Sequence, residues 1–140
     1  MALREVEPIL FVHSIERSME FYQEKLGFDL GFAMTGDGGR MLHASVLSGD
    51  VKLMLGYADP SAAEQRLGGG AELYIYADDV DEYFKRVRSA GAELTRDIED
   101  QFWGDRTFTV TDPDGYVLTF AQTMRAFDPS RNIPAIPATV

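Results

Sequence analysis

Apolar and polar residues follow one pattern twice along the chain, once in each half. Each half opens with a short apolar run, Ile9–Val12 in the first and residues 73–76 in the second. An amphipathic stretch follows, in which apolar residues recur every three or four positions, as on one face of a helix. These helical positions are Ile15, Met19, Tyr22 and Leu26 in the first half, and Val80, Tyr83, Phe84, Val87 and Ala90 in the second.

Residues typical of helix ends bound both amphipathic stretches. Ser14 and Asp79 precede them and are predicted N-caps, because their side-chain oxygens accept hydrogen bonds from free backbone N–H groups. Gly27 and Gly91 follow them and suit the left-handed position after a helix. Each half therefore predicts a strand followed by a helix.

The rest of each half predicts three more strands, separated by turns rich in Gly and Asp. These strands are residues 28–34, 41–47 and 51–57 in the first half, and 93–99, 106–111 and 117–121 in the second. The chain is thus predicted to be α+β, with two tandem βαβββ units at 1–57 and 71–122. A linker at 58–70 joins them, and a tail at 123–140 follows, predicted to be extended unless its isoleucines pack on a neighbour.

Charge and composition limit the classes of partner that the chain could bind. The chain has 13 basic and 23 acidic side chains, a net charge of −10, which argues against nucleic acid and fits a neutral or cationic small molecule. No cysteine is present, which excludes disulfides and thiolate chemistry. No apolar run approaches the length of a membrane span, so we expect no membrane partner and a soluble, cytoplasmic protein.

Two groups of motifs stand out in the tandem units. They are residues 14–22 with Leu26-Gly27-Phe28, and Trp103-Gly104 followed by Thr111-Asp112-Pro113-Asp114-Gly115. With these motifs the chain resembles the vicinal oxygen chelate superfamily, which contains glyoxalase I, extradiol dioxygenases, fosfomycin-resistance enzymes and bleomycin-resistance proteins. The resemblance covers residues 5–122 as one domain. It implies that the two units curl into a mixed sheet with a concave crevice for a ligand or metal, and that the protein forms a homodimer.

The resemblance also implies where a metal would be held, namely by His or Glu on the first and last strands of each unit. The matching positions are Glu7, Lys52 (or Met54), Glu72 and Thr119. A lysine ammonium repels a divalent cation, and Met suits only soft ions. The predicted strands 51–57 and 117–121 hold no His, Asp or Glu, so we predict no metal and no cofactor.

Strand alternation and the resemblance together predict an aromatic and acidic crevice. The predicted ligand-binding residues are Glu7, Phe11, His43, Met54, Glu72, Tyr74, Phe102 and Trp103. Each has an alternative role. Trp103 would instead have a structural role, filling space in the fold, and Tyr74 would be a core or dimer residue. The two glutamates would be solvated or salt-bridged, one of them by Lys52, and His43 would be an ordinary strand residue. Asp112 and Asp114 are predicted to be structural turn residues.

Three functions remain open from the sequence. The favoured one is a metal-free binding protein resembling bleomycin-resistance proteins, which sequesters a planar or cationic compound without changing it. The second is a metal-dependent lyase, isomerase or dioxygenase that uses Glu7, Glu72 and His43. The third is a regulatory or protein-interaction module in which the tail at 123–140 docks on a partner.

Overall fold

The computed structural model describes residues 1–59 and 67–127. The first half contains β1 (Ile9–Val12), α1 (Ile15–Glu20), β2 (Asp29–Thr35), β3 (Met41–Ser48) and β4 (Val51–Tyr57). The second half contains β5 (Glu72–Tyr76), α2 (Val80–Ser89), β6 (Leu94–Asp100), β7 (Asp105–Thr111) and β8 (Val117–Thr123). Residues 60–66 of the predicted linker and 128–140 of the predicted tail lie outside the described residues.

The strands form two four-stranded mixed sheets of identical topology. Their orders are β1-β4-β3-β2 and β5-β8-β7-β6. In each sheet the first strand runs parallel to the last, and the other neighbours are antiparallel. The predicted α+β fold of two βαβββ units is confirmed.

Both predicted N-caps are present. Arg17 N donates to Ser14 Oγ at 3.1 Å, and Glu82 N donates to Asp79 Oδ1 at 3.0 Å. The first helix differs from the regular one that was predicted, because it widens to a π-helical turn over Phe21–Lys25. The side chain of Tyr22 in this turn and that of Leu26 directly after it are both fully buried.

One core joins the two units on the helical sides of their sheets. Alternate residues of β1, Leu10 and Val12, are buried in this core, as are Leu53 and Leu55 of β4. The second unit contributes an aromatic group in which the rings of Phe108 and Phe120 lie 5.3 Å apart. Because the core is shared, burial of either helix depends on the other unit.

Hydrogen bonds also cross between the units. Tyr83 Oη donates to the carbonyl of Leu26 at 2.6 Å, and Lys25 Nζ donates to the carbonyl of Ala90 at 2.9 Å. The buried Tyr22 hydroxyl donates to Asp112 Oδ2 at 2.8 Å. The first two bonds join the end of the first helix to α2, and the third joins this helix to the turn between β7 and β8.

Asp112 organises the turn between β7 and β8. Its Oδ1 accepts hydrogen bonds from the backbone N–H groups of Asp114 and Tyr116, both at 2.9 Å. Burial raises the pKa of Asp112 above its ordinary value, while these N–H groups and the Tyr22 hydroxyl oppose the rise. Burial and the nearby Asp112 carboxylate raise the pKa of Tyr22. The prediction that Asp112 and Asp114 are structural is confirmed.

On the opposite side of each sheet, turned away from the core, large side chains are exposed above small buried residues such as Ser45 and Thr119. We call these sides the open faces. On β1 the exposed residues Ile9 (48%) and Phe11 (51%) alternate with the buried Leu10 and Val12. On β5 the exposed Tyr74 and Tyr76 alternate with half-buried apolar residues. Large apolar side chains therefore lie at the surface of both sheets.

No helix among residues 1–59 and 67–127 is long and apolar enough to span a bilayer.

Candidate functional site

The open face of the first sheet carries four of the predicted site residues. Ile9 of β1 lies opposite Met54 of β4, so Met54 shares the face of Ile9 and Phe11. Gly56 lies beneath Phe11, where an added Cβ would come within 3.1 Å of the phenyl ring. Glycine at this position therefore allows the ring to lie flat against the sheet.

Glu7 and Lys52 form an ion pair on the same face. Lys52 Nζ lies 3.5 Å from Glu7 Oε1, and both side chains are about one-third exposed. The ammonium also lies 5.9 Å from the ring centroid of Phe32. Lys52 thus neutralises Glu7, which is one of the alternatives that the sequence left open.

His43 packs on Phe32 of the neighbouring strand. The two rings are stacked with centroids 5.5 Å apart and an interplanar angle of 28°. Met34, which lies opposite His43 in the β2–β3 pairing, is 54% exposed. The first open face is therefore a broad apolar and aromatic surface with an ion pair near the start of β1.

On the second open face, Glu72 is part of a chain of hydroxyl groups. Thr119 Oγ1 donates to Glu72 Oε1 at 2.5 Å, and it also shares a 2.8 Å hydrogen bond with Thr109 Oγ1. Both threonines are buried. A carboxylate held in this way has a fixed position on the sheet, because one of its oxygens is bound.

Trp103, Tyr74 and Asp105 form the most tightly organised group on the open faces. Tyr74 Oη donates to Asp105 Oδ2 at 2.6 Å. Trp103 Nε1 lies within hydrogen-bonding distance of both Tyr74 Oη (3.1 Å) and Asp105 Oδ2 (3.2 Å). We call these three residues the Trp103 cluster.

The electrostatics of the Trp103 cluster keep Tyr74 protonated. Burial and the hydrogen bond to Asp105 raise the pKa of Tyr74 to about 12. The phenol therefore remains a donor throughout the neutral range. Asp105 is only 4% exposed, so the cluster holds a buried carboxylate beneath two aromatic rings.

Phe102 extends the aromatic surface at the edge of the cluster. Its ring meets that of Trp103 edge-to-face with centroids 4.9 Å apart, and it is 44% exposed. Tyr76 meets Tyr74 in the same geometry at 5.3 Å. Aromatic rings thus surround the cluster on two sides.

The predicted site residues fall into two groups that the single chain does not bring together. Glu7, Phe11, His43 and Met54 lie on the first open face, and Glu72, Tyr74, Phe102 and Trp103 belong to the second. Among the described residues, no hydrogen bond, ion pair or ring contact joins a side chain of one group to a side chain of the other.

Sequence reasoning missed Asp105 and Phe32. Both had a signal in the period-two alternation of their strands. Asp105 shares a face with Thr107 and Thr109, the same face as Tyr74, through the β5-β8-β7 pairing. Extending the alternation from β5 to its neighbours would have placed a carboxylate beside Trp103.

The donor set at the four predicted metal positions does not fit a divalent cation. Lys52 places an ammonium beside Glu7, and Thr119 offers a hydroxyl beside Glu72. Across residues 1–59 and 67–127, no three His, Asp or Glu side chains are grouped closely enough to hold a metal ion. A hard cation with open coordination positions needs carboxylate or imidazole at these places.

The repeated βαβββ topology and the turn at 112–116 define the class of protein. A family model of the glyoxalase/bleomycin resistance protein/dioxygenase superfamily matches residues 4–120. The chain belongs to this superfamily, and the resemblance drawn from the sequence motifs is confirmed.

Three individual proteins show how similar this chain is to other members of the superfamily. The bleomycin resistance protein of Geobacillus stearothermophilus is 29% identical over 127 residues, which cover 85% of this chain and 96% of that protein. An uncharacterised protein of Mycobacterium bovis is 32% identical over 130 residues, covering 86% of this chain and 84% of its own length. Among solved structures, TnmS3, an antibiotic binding protein from Streptomyces sp. CB03234, matches with a TM-score of 0.69 at 29% identity, covering 88% of this chain and 98% of its own.

Proposed function

We propose that the protein binds a small organic molecule, flat or positively charged, on its open faces and sequesters it without chemical change. The observation that carries this proposal is the Trp103 cluster, in which Asp105 orients an indole and a phenol at an exposed edge of the sheet. Stacking of a planar or cationic group on such rings contributes about 0.5–2 kcal/mol per contact.

Charge supports a cationic ligand. Asp105 is a buried carboxylate, Glu72 lies two residues before Tyr74 on the same face, and the chain as a whole carries a net charge of −10. A cation that stacks on Trp103 would be attracted by these groups at short range and by the whole protein at long range. Two relatives named above, a bleomycin resistance protein and an antibiotic binding protein, support binding of a small molecule.

Sequestration is favoured over catalysis because the positions that would hold a metal carry an ammonium and a hydroxyl. Without a metal, polarisation of vicinal oxygens has no evident source in these residues. The binding activity is therefore proposed to need no cofactor and to persist after treatment with a chelator.

We further propose that a second copy of the chain completes the site. Ile9, Phe11, Phe32, Met34 and Tyr76 are each 41–64% exposed on the open faces, an unusual density of apolar surface for a monomer. A homodimer that sets the first open face of one copy opposite the second open face of the other would bury these side chains. It would also bring the two groups of predicted site residues to one crevice.

Sedimentation equilibrium tests the dimer. The unmodified protein is expected at twice the mass of the chain. Phe11→Asp, which places a charge in the proposed interface, is expected to run as a folded monomer and to bind ligand more weakly. A monomeric unmodified protein would contradict this arrangement.

Ligand binding is measured by the fluorescence of Trp103, the only tryptophan in the chain. Bleomycin and ethidium are titrated in buffer with a chelator, and the recovered compound is analysed by mass spectrometry. We expect saturable quenching and an unchanged mass. Asp105→Asn should weaken binding about tenfold, since it removes the buried charge and one oriented acceptor. Glu93→Gln, an exposed carboxylate outside the cluster, serves as control.

Quenching that requires added metal, or conversion of the compound, would contradict sequestration. Equal affinity in Asp105→Asn and Glu93→Gln would show that the Trp103 cluster is not the binding site.

A further inference from the structure

A cavity of about 590 Å³ lies between the two units, on the helical side of the sheets. The β3–β4 turn (Gly49 and Asp50) forms one wall, and the start of α2 with the end of β5 forms the other. We call it the interunit cavity. Its volume is within the range of small-molecule sites.

The two units have the same topology, so the other half of the molecule has an equivalent place, between the β7–β8 turn and the start of α1. That place is filled by the chain itself. There the β7–β8 turn packs on the start of α1. Asp114 Oδ1 accepts from the backbone N–H of His13 at 3.1 Å, and its Oδ2 accepts from Ser18 Oγ at 3.4 Å. Arg17 donates to the carbonyl of Pro113 at 3.2 Å and lies 3.7 Å from the Asp114 carboxylate. A carboxylate on the turn thus meets a guanidinium on the helix.

In the interunit cavity, the helix position that corresponds to Arg17 carries the opposite charge. The helix caps Ser14 and Asp79 are equivalent, and so are the paired positions Ile9–Met54 and Tyr74–Thr119 at the same spacing. Under this correspondence Glu82 stands where the other unit has Arg17. Asp78 stands in place of His13, whose contact with the turn is made by its backbone N–H, and it adds a further carboxylate to the cavity.

The β3–β4 turn is also shorter than the β7–β8 turn. Two residues connect β3 to β4, whereas five connect β7 to β8. The short turn presents Asp50 toward a wall that already holds Asp78 and Glu82. Like charges on both walls oppose closure, so the cavity remains open where its counterpart is filled.

The lining matches an organic cation with a flat apolar part. Among the described residues, four carboxylates line the cavity, Asp50, Asp78, Asp79 and Glu82, against one guanidinium, that of Arg86. Arg86 Nε forms an ion pair with Glu82 Oε1 at 3.3 Å, and Asp79 caps α2. The carboxylates therefore leave the cavity with an excess of negative charge.

Aromatic residues also line the cavity. Tyr83 is half-buried, whereas Phe28 and Phe120 are almost fully buried, and the rings of Tyr83 and Phe120 meet edge-to-face at 4.9 Å. Rings beside carboxylates attract a planar cation by both cation–π and ionic contacts.

We propose that the interunit cavity is a second binding site, for small amidinium or guanidinium compounds. Such a group would supply the positive charge that Arg17 supplies beside the turn of the other unit, and it would lie between Asp50 of the short turn and the carboxylates at the start of α2. The site is separate from the Trp103 cluster, and its occupation would hold the two units together in the way that the longer turn does on the other side.

Benzamidine, a phenyl ring carrying an amidinium, is the probe. It is titrated to about 10 mM into the ¹⁵N-labelled full-length protein, and amide shifts are followed. We expect saturable shifts at residues 48–51 and 78–83. The apparent affinity should fall as NaCl is raised, since screening weakens exposed charge interactions.

The double variant Asp50→Asn, Asp78→Asn removes two carboxylates of the cavity by near-isosteric changes. It should weaken benzamidine binding about tenfold. The matched control Glu20→Gln, Glu93→Gln removes the same total charge from exposed positions outside the cavity and should bind as the unmodified protein does.

Three results would overturn the proposal: shifts confined to the open faces, equal weakening in the two double variants, or absence of saturable shifts at 48–51 and 78–83. Because the readout is resolved by residue, it is independent of whether the Trp103 cluster binds its own ligand.

Discussion

Replacing Tyr22 with Phe removes one hydroxyl from the contact between the units. The ring is fully buried and its hydroxyl donates to Asp112 Oδ2 at 2.8 Å, so Tyr22→Phe leaves a buried carboxylate with one donor fewer. Hydrogen bonds to charged groups contribute about 1.5–3 kcal/mol. Asp112 keeps two backbone donors on its other oxygen. We therefore expect the free energy of unfolding to fall by about 2 kcal/mol at neutral pH, a shift of about 6 °C in Tm.

The loss should depend on pH with a definite sign. Burial raises the pKa of Asp112 in the folded protein, so folding loses stability as pH rises from the ordinary carboxyl value through the folded one. The Tyr22 hydroxyl opposes that shift. Without it the folded pKa rises further, and the variant loses more stability over the same interval. The cost of Tyr22→Phe should thus be small near pH 3 and reach its full size by neutral pH.

Urea unfolding followed by circular dichroism, at several pH values, measures both quantities. Tyr83→Phe is the matched control, because Tyr83 donates to the neutral carbonyl of Leu26 between the same two units. It should cost about 1 kcal/mol at every pH. Asp112→Asn completes a double-mutant cycle with Tyr22→Phe, and the coupling energy should approach the single-variant loss. A cost for Tyr22→Phe that does not change with pH, or equals that of Tyr83→Phe throughout, would refute the reasoning.

Three further predictions concern local features. Gly104→Ala should destabilise the fold by about 2 kcal/mol in urea unfolding, because Gly104 has φ 101° and an added Cβ would meet the Arg125 carbonyl oxygen at 2.3 Å; a neutral effect would contradict the strain. Asp79→Ala should cost about 1 kcal/mol through loss of the α2 N-cap, whereas Asp79→Ser should restore most of it. Tyr74→Phe removes the hydroxyl that accepts from Trp103 Nε1, and it should shift the fluorescence emission of Trp103 to longer wavelength. It should also remove, from an absorbance titration, the phenol whose pKa is about 12. An unchanged emission spectrum would mean that Trp103 does not contact Tyr74.

Much of the fold was predictable because the signals are local and occur twice. The N-caps Ser14 and Asp79, the glycines after each helix and the alternation of β1 and β5 all depend on neighbouring residues in the sequence. The π-helical turn at Phe21–Lys25 was not predictable in this way. It accompanies the burial of Tyr22 against Asp112, a contact between residues 90 positions apart.

The candidate site was predictable only one strand at a time. Alternation placed Tyr74 and Glu72 on one face, yet the role of Asp105 depends on the pairing of β5 with β8 and of β8 with β7. The ion pair of Glu7 with Lys52 likewise follows from the parallel register of β1 and β4. Strand pairing is a long-range choice, and single-strand periodicity does not contain it.

The sequence by itself determined the two βαβββ units, their caps, the acidic balance and the aromatic residues available for binding. Only the tertiary structure decided that Asp105 orients Trp103, that the two groups of site residues lie on separate open faces, and that the short β3–β4 turn leaves an acidic cavity. The physical reason is that local propensity acts through adjacent residues, whereas burial, charge pairing and cavity shape arise where distant segments meet.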